Sequence, residues 1–154
     1  MTGTVRALTA IVGALLVLAG CASTPQASDE RDAEAKRFLT HPNAATIYVY
    51  RGDIPTLEGD SVLVINGRLI GATLPGTFFR VDVRAGVNVI EGAYADVGRM
   101  TLHTHSGGLY LVSLTVAAGH SHFALVSPER GKQAVLACCA LLENWAPGQR
   151  PLLR

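Results

Sequence analysis

The 154-residue sequence carries 13 Lys and Arg residues against 12 Asp and Glu residues, and 49% of its residues are hydrophobic. Nucleic-acid binding normally requires a basic face, and this near-neutral balance does not supply one. Charged residues make up 16% of the chain, which favours a compact β-rich domain over a solvated helical one. The length corresponds to one domain of ordinary size.

The first 20 residues have the features of a bacterial export signal. Arg6 supplies a basic start, and Ala7–Ala19 forms an apolar run that is interrupted by Thr9. This run is shorter than the roughly 20 residues that cross a bilayer comfortably. Because Arg6 is one of the 13 basic residues, 12 remain after it and balance the 12 acidic ones. We therefore predict residues 1–20 to be a cleaved signal peptide.

The leader ends in Leu18-Ala19-Gly20-Cys21, which resembles the lipobox of bacterial lipoproteins. The resemblance implies that diacylglycerol alkylates the Cys21 thiol and that the new amine is acylated after cleavage. Leu18 and the small residues Ala19 and Gly20 are then the recognition residues of the signal peptidase. Two or three acyl chains anchor a protein stably, at about 0.8 kcal/mol per buried CH₂. The alternative is an uncleaved membrane anchor with an incidental cysteine.

The lipobox prediction places the mature protein on a membrane outside the cytoplasm, facing the periplasm. In enterobacterial lipoproteins an Asp after the cysteine favours the inner membrane, so Ala22 favours the outer membrane if the organism is Gram-negative. The expected partners are the membrane itself, through diacylglyceryl and acyl chains on Cys21, and an envelope protein or cell-wall component.

Residues 21–45 predict a tether and a short helix. Ala22–Ala27 has no large apolar side chain and is typical of a flexible spacer. Ser28 is the predicted N-cap of a helix over Asp29–Leu39, whose first carboxylates suit the helix dipole. His41-Pro42-Asn43 marks its end.

Residues 46–143 predict a β-rich domain with a C-terminal helix. The turn signals include Asn66-Gly67, and Ser127-Pro128 introduces a helix at roughly Glu129–Glu143. This pattern predicts a mainly β fold, an antiparallel β-sandwich or open barrel of about eight short strands. The C-terminal helix packs on it, a short N-terminal helix precedes it, and 144–154 is an irregular tail. The predicted strands are Thr46–Arg51, Ser61–Ile65, Leu69–Ala72, Thr77–Val83, Val87–Ile90, Met100–His105, Leu109–Val116 and Ser121–Val126.

Several short motifs within Thr46–Leu136 resemble an uncharacterised domain of bacterial envelope lipoproteins, a domain of unknown function. The order of the motifs is also similar in rhythm to PEGA-type and carboxypeptidase-regulatory-like modules, which are mostly accessory. Gly52 and Ala85 stand where the lipoprotein domain usually has proline. The resemblance implies a β fold and no established activity. The motifs are Ile47-Tyr48-Val49-Tyr50-Arg51, Ile65-Asn66-Gly67 with Ile70-Gly71, Gly76-Thr77-Phe78-Phe79-Arg80-Val81, Ala85-Gly86 and Gly108-Leu109-Tyr110-Leu111.

A candidate binding patch combines aromatic and arginine side chains of two predicted strands: Tyr50, Arg51, Phe78 and Arg80. Exposed aromatic residues next to arginine are typical of recognition surfaces. If the C-terminal helix covers this face instead, Phe78 belongs to the core.

Two His-x-His pairs are candidate metal ligands: His103 with His105, and His120 with His122. Period-two spacing puts both members of a pair on one face of a strand. A hairpin between Met100–His105 and Leu109–Val116 offsets the pairs by roughly 13 Å, at about 3.3 Å per residue, which is too far for one metal. We therefore predict structural histidines and no metal or cofactor, with a shared four-histidine site as the alternative.

Cys138 and Cys139 are adjacent, and the Cα separation across one peptide is shorter than a disulfide normally takes. They are predicted to be buried as small apolar residues or bonded between protomers.

No nucleophile motif such as Gly-x-Ser-x-Gly or Ser-x-x-Lys is present. The acidic loop residues Asp53, Glu58 and Asp60 are typical of a soluble loop. We therefore predict a non-catalytic envelope module that binds a protein or cell-wall partner. The alternatives are a peptidoglycan-directed enzyme and a metal-binding lipoprotein.

Overall fold

The computed structural model describes residues 24–52, 61–93 and 95–144. Within these ranges the chain forms two helices, α1 (Asp29–Ala35) and α2 (Pro128–Cys138). The nine strands of the described part are β1 (Ala45–Arg51), β2 (Ser61–Ile65), β3 (Arg68–Thr73), β4 (Thr77–Val83), β5 (Gly86–Gly92), β6 (Arg99–Thr104), β7 (Leu109–Ala117), β8 (His120–Val126) and β9 (Ala140–Leu141).

The strands form two sheets that pack face to face. One has the order β8-β7-β1-β4-β9, and the other has the order β3-β2-β5-β6. Apolar side chains from both sheets form one core cluster, and the helices contribute to a second cluster on the outer face of the five-stranded sheet. The mainly β prediction with a short N-terminal and a C-terminal helix is therefore confirmed, and the two sheets are consistent with a β-sandwich.

The five-stranded sheet is mixed, whereas the sequence predicts antiparallel pairing throughout. β1 pairs with β7 in parallel, and β4 pairs with β9 in parallel. The predicted hairpin between β6 and β7 does not form, because β6 pairs with β5 in one sheet and β7 joins the other sheet. The connection after Thr104 therefore crosses between the sheets.

The central strand β1 is buried on both faces, since all seven of its residues are buried. Ile47 and Val49 point into the core between the sheets, while Tyr48 and Tyr50 point toward the helices. The predicted alternation of the β1 side chains between two faces is confirmed. Because the helices cover the outer face, both faces of β1 lie in apolar surroundings.

The helix layer is fixed by aromatic contacts. The ring of Tyr48 stacks on Phe78 at 5.8 Å between centroids and lies 5.2 Å from the Phe38 ring. The Tyr48 hydroxyl donates to the carbonyl oxygen of Ala35 at the end of α1, at 2.7 Å. Burial raises the pKa of Tyr48 to about 12, so this donor keeps its proton at physiological pH.

Helix α2 ends earlier than the sequence predicts. It stops at Cys138 rather than near Glu143, and the next residues form β9. The backbone N–H groups of Ala140 and Leu142 donate to carbonyl oxygens of Gly76 and Phe78. The apolar run Ala134–Leu142 predicts a helix that is buried on all sides. In the structure the end of this run forms β9 instead.

Gly131 lets α2 approach β7 closely, and a substitution should show this. A Cβ at Gly131 would lie 2.5 Å from the Leu111 Cβ and 2.6 Å from its Cδ2. Although alanine gains about 1 kcal/mol of helix propensity over glycine, overpacking of a core typically costs about 1–3 kcal/mol. We expect Gly131→Ala to lower the free energy of unfolding by about 1 kcal/mol in urea titrations. Stabilisation by Gly131→Ala would contradict the close contact.

Candidate functional site

The predicted lipid attachment residue Cys21 and the recognition residues Leu18, Ala19 and Gly20 lie outside the described residues, so their roles remain predictions. The described chain starts at Thr24, three residues after Cys21.

The predicted flexible spacer Ala22–Ala27 is wrong for its described part. Thr24 and Ala27 are buried. The backbone N–H of Ala27 donates to the Leu141 carbonyl, and the N–H of Glu143 donates to the Pro25 carbonyl, each at 2.9 Å. Small polar residues indicate a spacer, but here the segment pairs with β9 and the residues that follow it. The segment Thr24–Ala27 is therefore part of the folded domain.

The candidate binding patch is not an exposed surface. Tyr50, Arg51 and Phe78 are buried, and Arg80 is half-buried. The alternative interpretation describes the structure, since helices cover this face and Phe78 belongs to the core beneath them. Arg51 points away from Tyr50, and its guanidinium donates to the Thr73 carbonyl at 3.2 Å. Arg80 donates to the Leu39 carbonyl at 3.2 Å.

The first histidine pair does not occupy the predicted hairpin. His103 lies on β6 opposite Val87 of β5, and its side chain is exposed. His105 follows the end of β6, where its Nδ1 lies 2.8 Å from the Tyr110 hydroxyl. The predicted hairpin of β6 with β7 does not form because the two strands belong to different sheets.

The second histidine pair lies on β8 of the five-stranded sheet. His122 stands opposite Thr115, as the predicted turn at Ala118-Gly119 requires. The Nδ1 atom of His120 is buried without a hydrogen-bond partner. Over the described residues, no three His, Cys, Asp or Glu side chains come together as metal ligands. The alternative four-histidine site is therefore not assembled in this part of the chain.

A polar cluster that the sequence analysis missed joins the two sheets. Asp96 lies between β5 and β6, Ser61 begins β2, and Ser121 lies near the start of β8. The Asp96 carboxylate accepts from the Ser121 hydroxyl at 2.6 Å, the Ser61 hydroxyl at 3.0 Å and the Ser121 backbone N–H at 2.9 Å. Gly98 donates its backbone N–H to the same carboxylate at 2.8 Å. The two serine oxygens also lie in contact, but each hydroxyl has a single proton, so the two hydroxyls do not donate to Asp96 and to each other at once.

The geometry of this cluster fits a structural role better than catalysis. Burial raises the pKa of Asp96, but hydrogen bonds from Ser121, Gly98 and Ser61 outweigh burial and hold this pKa below its ordinary value. The carboxylate is therefore a stable acceptor rather than a base near neutral pH. His120 is adjacent to Ser121 on a strand, so the two side chains point to opposite faces and the imidazole cannot activate the hydroxyl. In the sequence, Asp96 is indistinguishable from an ordinary turn residue.

Cys138 and Cys139 form a disulfide with each other. This corrects the prediction that the bond is disfavoured and that the two cysteines stay reduced or pair between protomers. The helix ends at Cys138 and Cys139 has extended backbone, so the two residues are not held in helical geometry. Cys139 is buried as predicted, and its sulfur lies 3.6 Å from the Arg51 carbonyl oxygen.

Comparisons with known proteins identify a relative but no activity. An uncharacterised protein of Haemophilus influenzae is 30% identical over 132 residues, which cover 81% of this chain and 78% of the relative. No family model and no solved structure matches the chain. In the described part of the chain, neither helix has the length and hydropathy to cross a membrane. The chain belongs to the same family as the uncharacterised Haemophilus influenzae protein.

Proposed function

We propose that the protein is a bacterial envelope lipoprotein, anchored through Cys21, whose β-sandwich is a non-catalytic binding or assembly module. The observation that carries the proposal is the Leu18-Ala19-Gly20-Cys21 sequence at the end of an apolar leader. The described part of the domain begins at Thr24, three residues after Cys21 along the chain. The module faces the periplasm, and Ala22 favours the outer membrane.

Several features of the described residues support a binding role over an enzymatic one. The hydroxyls of Ser61 and Ser121 are occupied by Asp96 and lack an oriented imidazole. The resemblance to accessory envelope domains also favours a binding role. An enzyme would require a nucleophile beside an oriented base, and hydrogen bonds hold the pKa of the Asp96 carboxylate, which accepts from both serine hydroxyls, below its ordinary value.

Lipidation is tested by metabolic labelling with an alkyne fatty acid in the native host. We expect the wild-type protein to take up the label and sediment with membranes, because the acyl chains are attached to Cys21. Cys21→Ser should remove the label, because the thiol that carries the diacylglyceryl group is gone. The matched control is the double variant Cys138→Ser/Cys139→Ser, which retains Cys21 as the single cysteine of the chain and should stay labelled. Label on Cys21→Ser, or none on the wild type, would contradict the anchor.

The binding role is tested by crosslinking the lipidated protein in its own envelope and identifying what is captured. We expect one envelope protein or cell-wall component to be captured repeatedly from intact cells. Cells expressing Cys21→Ser are the matched control, since the variant lacks the acyl chains. Equal capture of many unrelated components by both would contradict a specific partner.

A further inference from the structure

We infer that the sandwich lies against the bilayer through one edge, formed by β3 and Thr24–Ala27, with Leu69 in the lipid headgroup region. The inference rests on the proposed function, because it takes the acyl chains of Cys21 as the anchor. Beyond the anchor, the domain then has a fixed orientation relative to the bilayer, and the lipid surface is the partner of this edge.

The first step is the attachment of Thr24 to β3. The Thr24 hydroxyl donates to the Ala72 carbonyl at 2.8 Å, and the residue is 4% exposed. A Cβ at Gly71 would lie 3.2 Å from the Thr24 methyl carbon and 2.8 Å from the Phe79 ring, so the missing side chain makes room for Thr24. Thr24 is therefore fixed on the edge of the four-stranded sheet.

The second step is the attachment of the following residues to the other sheet. Gln26 forms an antiparallel bridge with Leu142, and Ala27 donates its N–H to the Leu141 carbonyl at 2.9 Å. Arg31 of α1 makes an ion pair with Glu143 beside this segment. The N-terminal segment is thus held by both sheets at the same side of the sandwich.

The chain between the anchor residue Cys21 and Thr24 is short. Three peptide units separate Cys21 from Thr24, and an extended chain spans at most about 3.5 Å per residue, so the two Cα atoms lie within about 11 Å. The headgroup layer is roughly 6 Å thick on each side of a bilayer. A lipidated Cys21 therefore keeps Thr24 close to the membrane surface, and rotation of the domain to present its far side would require release of this segment.

The fourth step is the character of the edge itself. β3 is an edge strand of its sheet, and Leu69 on β3 is 48% exposed. Exposed apolar residues on edge strands promote association unless something covers them. Leu69 lies three residues from Ala72, which is about 10 Å along the strand. This distance is close to the greatest possible separation of the Cys21 and Thr24 Cα atoms.

An edge strand of the other sheet supplies a matched comparison. β8 is the far edge strand of the five-stranded sheet, and its Leu125 is 53% exposed. At about 4.8 Å per strand, β8 lies roughly 19 Å across the sheet from β9. Leu69 and Leu125 are thus the same residue type with similar exposure on edge strands of different sheets, and we expect Leu69 in the headgroups and Leu125 in water.

The test uses the full lipidated protein in phosphatidylethanolamine–phosphatidylglycerol vesicles that carry a headgroup nitroxide quencher. Leu69→Cys and Leu125→Cys each introduce one thiol for an environment-sensitive fluorophore, since Cys21 is alkylated and Cys138 is bonded to Cys139. We expect the fluorescence emission of the probe at Leu69→Cys to shift to shorter wavelength. We also expect the nitroxide to quench this probe several-fold more than the probe at Leu125→Cys. Circular dichroism checks that both exposed-site variants are folded.

A linker variant separates orientation from simple proximity to the membrane. About twenty Gly and Ser residues inserted between Ser23 and Thr24 span roughly 25 Å on average and should make the quenching of the two probes equal. Equal quenching without the linker, or stronger quenching at position 125, overturns the inference while the anchor stands. A protein that does not sediment with vesicles overturns the proposed function, and the inference with it.

Discussion

Replacing Phe78 with alanine should lower the free energy of unfolding by about 3–5 kcal/mol, the range for large aromatic residues removed from a core. Phe78 is 1% exposed and stacks on Tyr48, so its loss leaves a cavity between the helices and the five-stranded sheet. Urea unfolding of the protein produced without its leader measures the effect.

Leu136→Ala is the matched control for Phe78→Ala, because Leu136 lies on α2 but is 58% exposed. Surface substitutions of this kind usually change stability by less than about 0.5 kcal/mol. If Phe78 were part of an exposed recognition patch, Phe78→Ala would resemble this control in stability. Such a result would contradict the helix-covered face.

Replacing Asp96 with alanine should lower the free energy of unfolding by about 3 kcal/mol, since charged hydrogen bonds are lost and their buried donors are left unpaired. The backbone N–H groups of Gly98 and Ser121 and the hydroxyls of Ser61 and Ser121 all donate to this carboxylate. The loss should loosen the β5–β6 connection from β8, which amide hydrogen exchange of Ser121 would report. An unfolding midpoint equal to the wild type would contradict the structural role.

The same carboxylate should make stability depend on pH. The hydrogen bonds from Ser121, Gly98 and Ser61 overcome the effect of burial and hold the pKa of Asp96 below its ordinary value of 3.8. A carboxyl group with a lowered pKa in the folded state stabilises the fold above its unfolded pKa, and this contribution is lost as the pH falls through the folded pKa. The stability difference between the wild type and Asp96→Asn should therefore shrink below about pH 4. A difference that grows on acidification would contradict the lowered pKa.

Local sequence signals correctly predicted the turns at Asn66-Gly67 and Ala118-Gly119. They also predicted which side chains share a face of each strand. Asn66-Gly67 takes positive φ values of 52° and 74° at its turn, and the pairing of His122 with Thr115 follows the predicted register. These features depend on residues close together in the chain. The parallel pairing of β1 with β7 joins strands some sixty residues apart, and no local signal distinguishes it from an antiparallel hairpin.

The candidate site depended more on distant contacts and was predicted less well. Alternation put Tyr50 and Phe78 on one face, but a strand pattern does not show whether a helix covers that face. The spacer prediction failed because the packing of Thr24 depends on Ala72, which is 48 residues away. The Asp96 cluster combines three elements whose proximity is set by the two-sheet fold.

The central claim is that acyl chains on Cys21 hold the folded domain at a membrane. Intact mass spectrometry of the mature protein, extracted in detergent from its own host, tests this claim most directly. We predict a polypeptide that begins at Cys21 and is heavier than Cys21–Arg154 by a diacylglyceryl group, with or without a further acyl chain. An unmodified mass, or a chain that retains its first residues, would contradict the account.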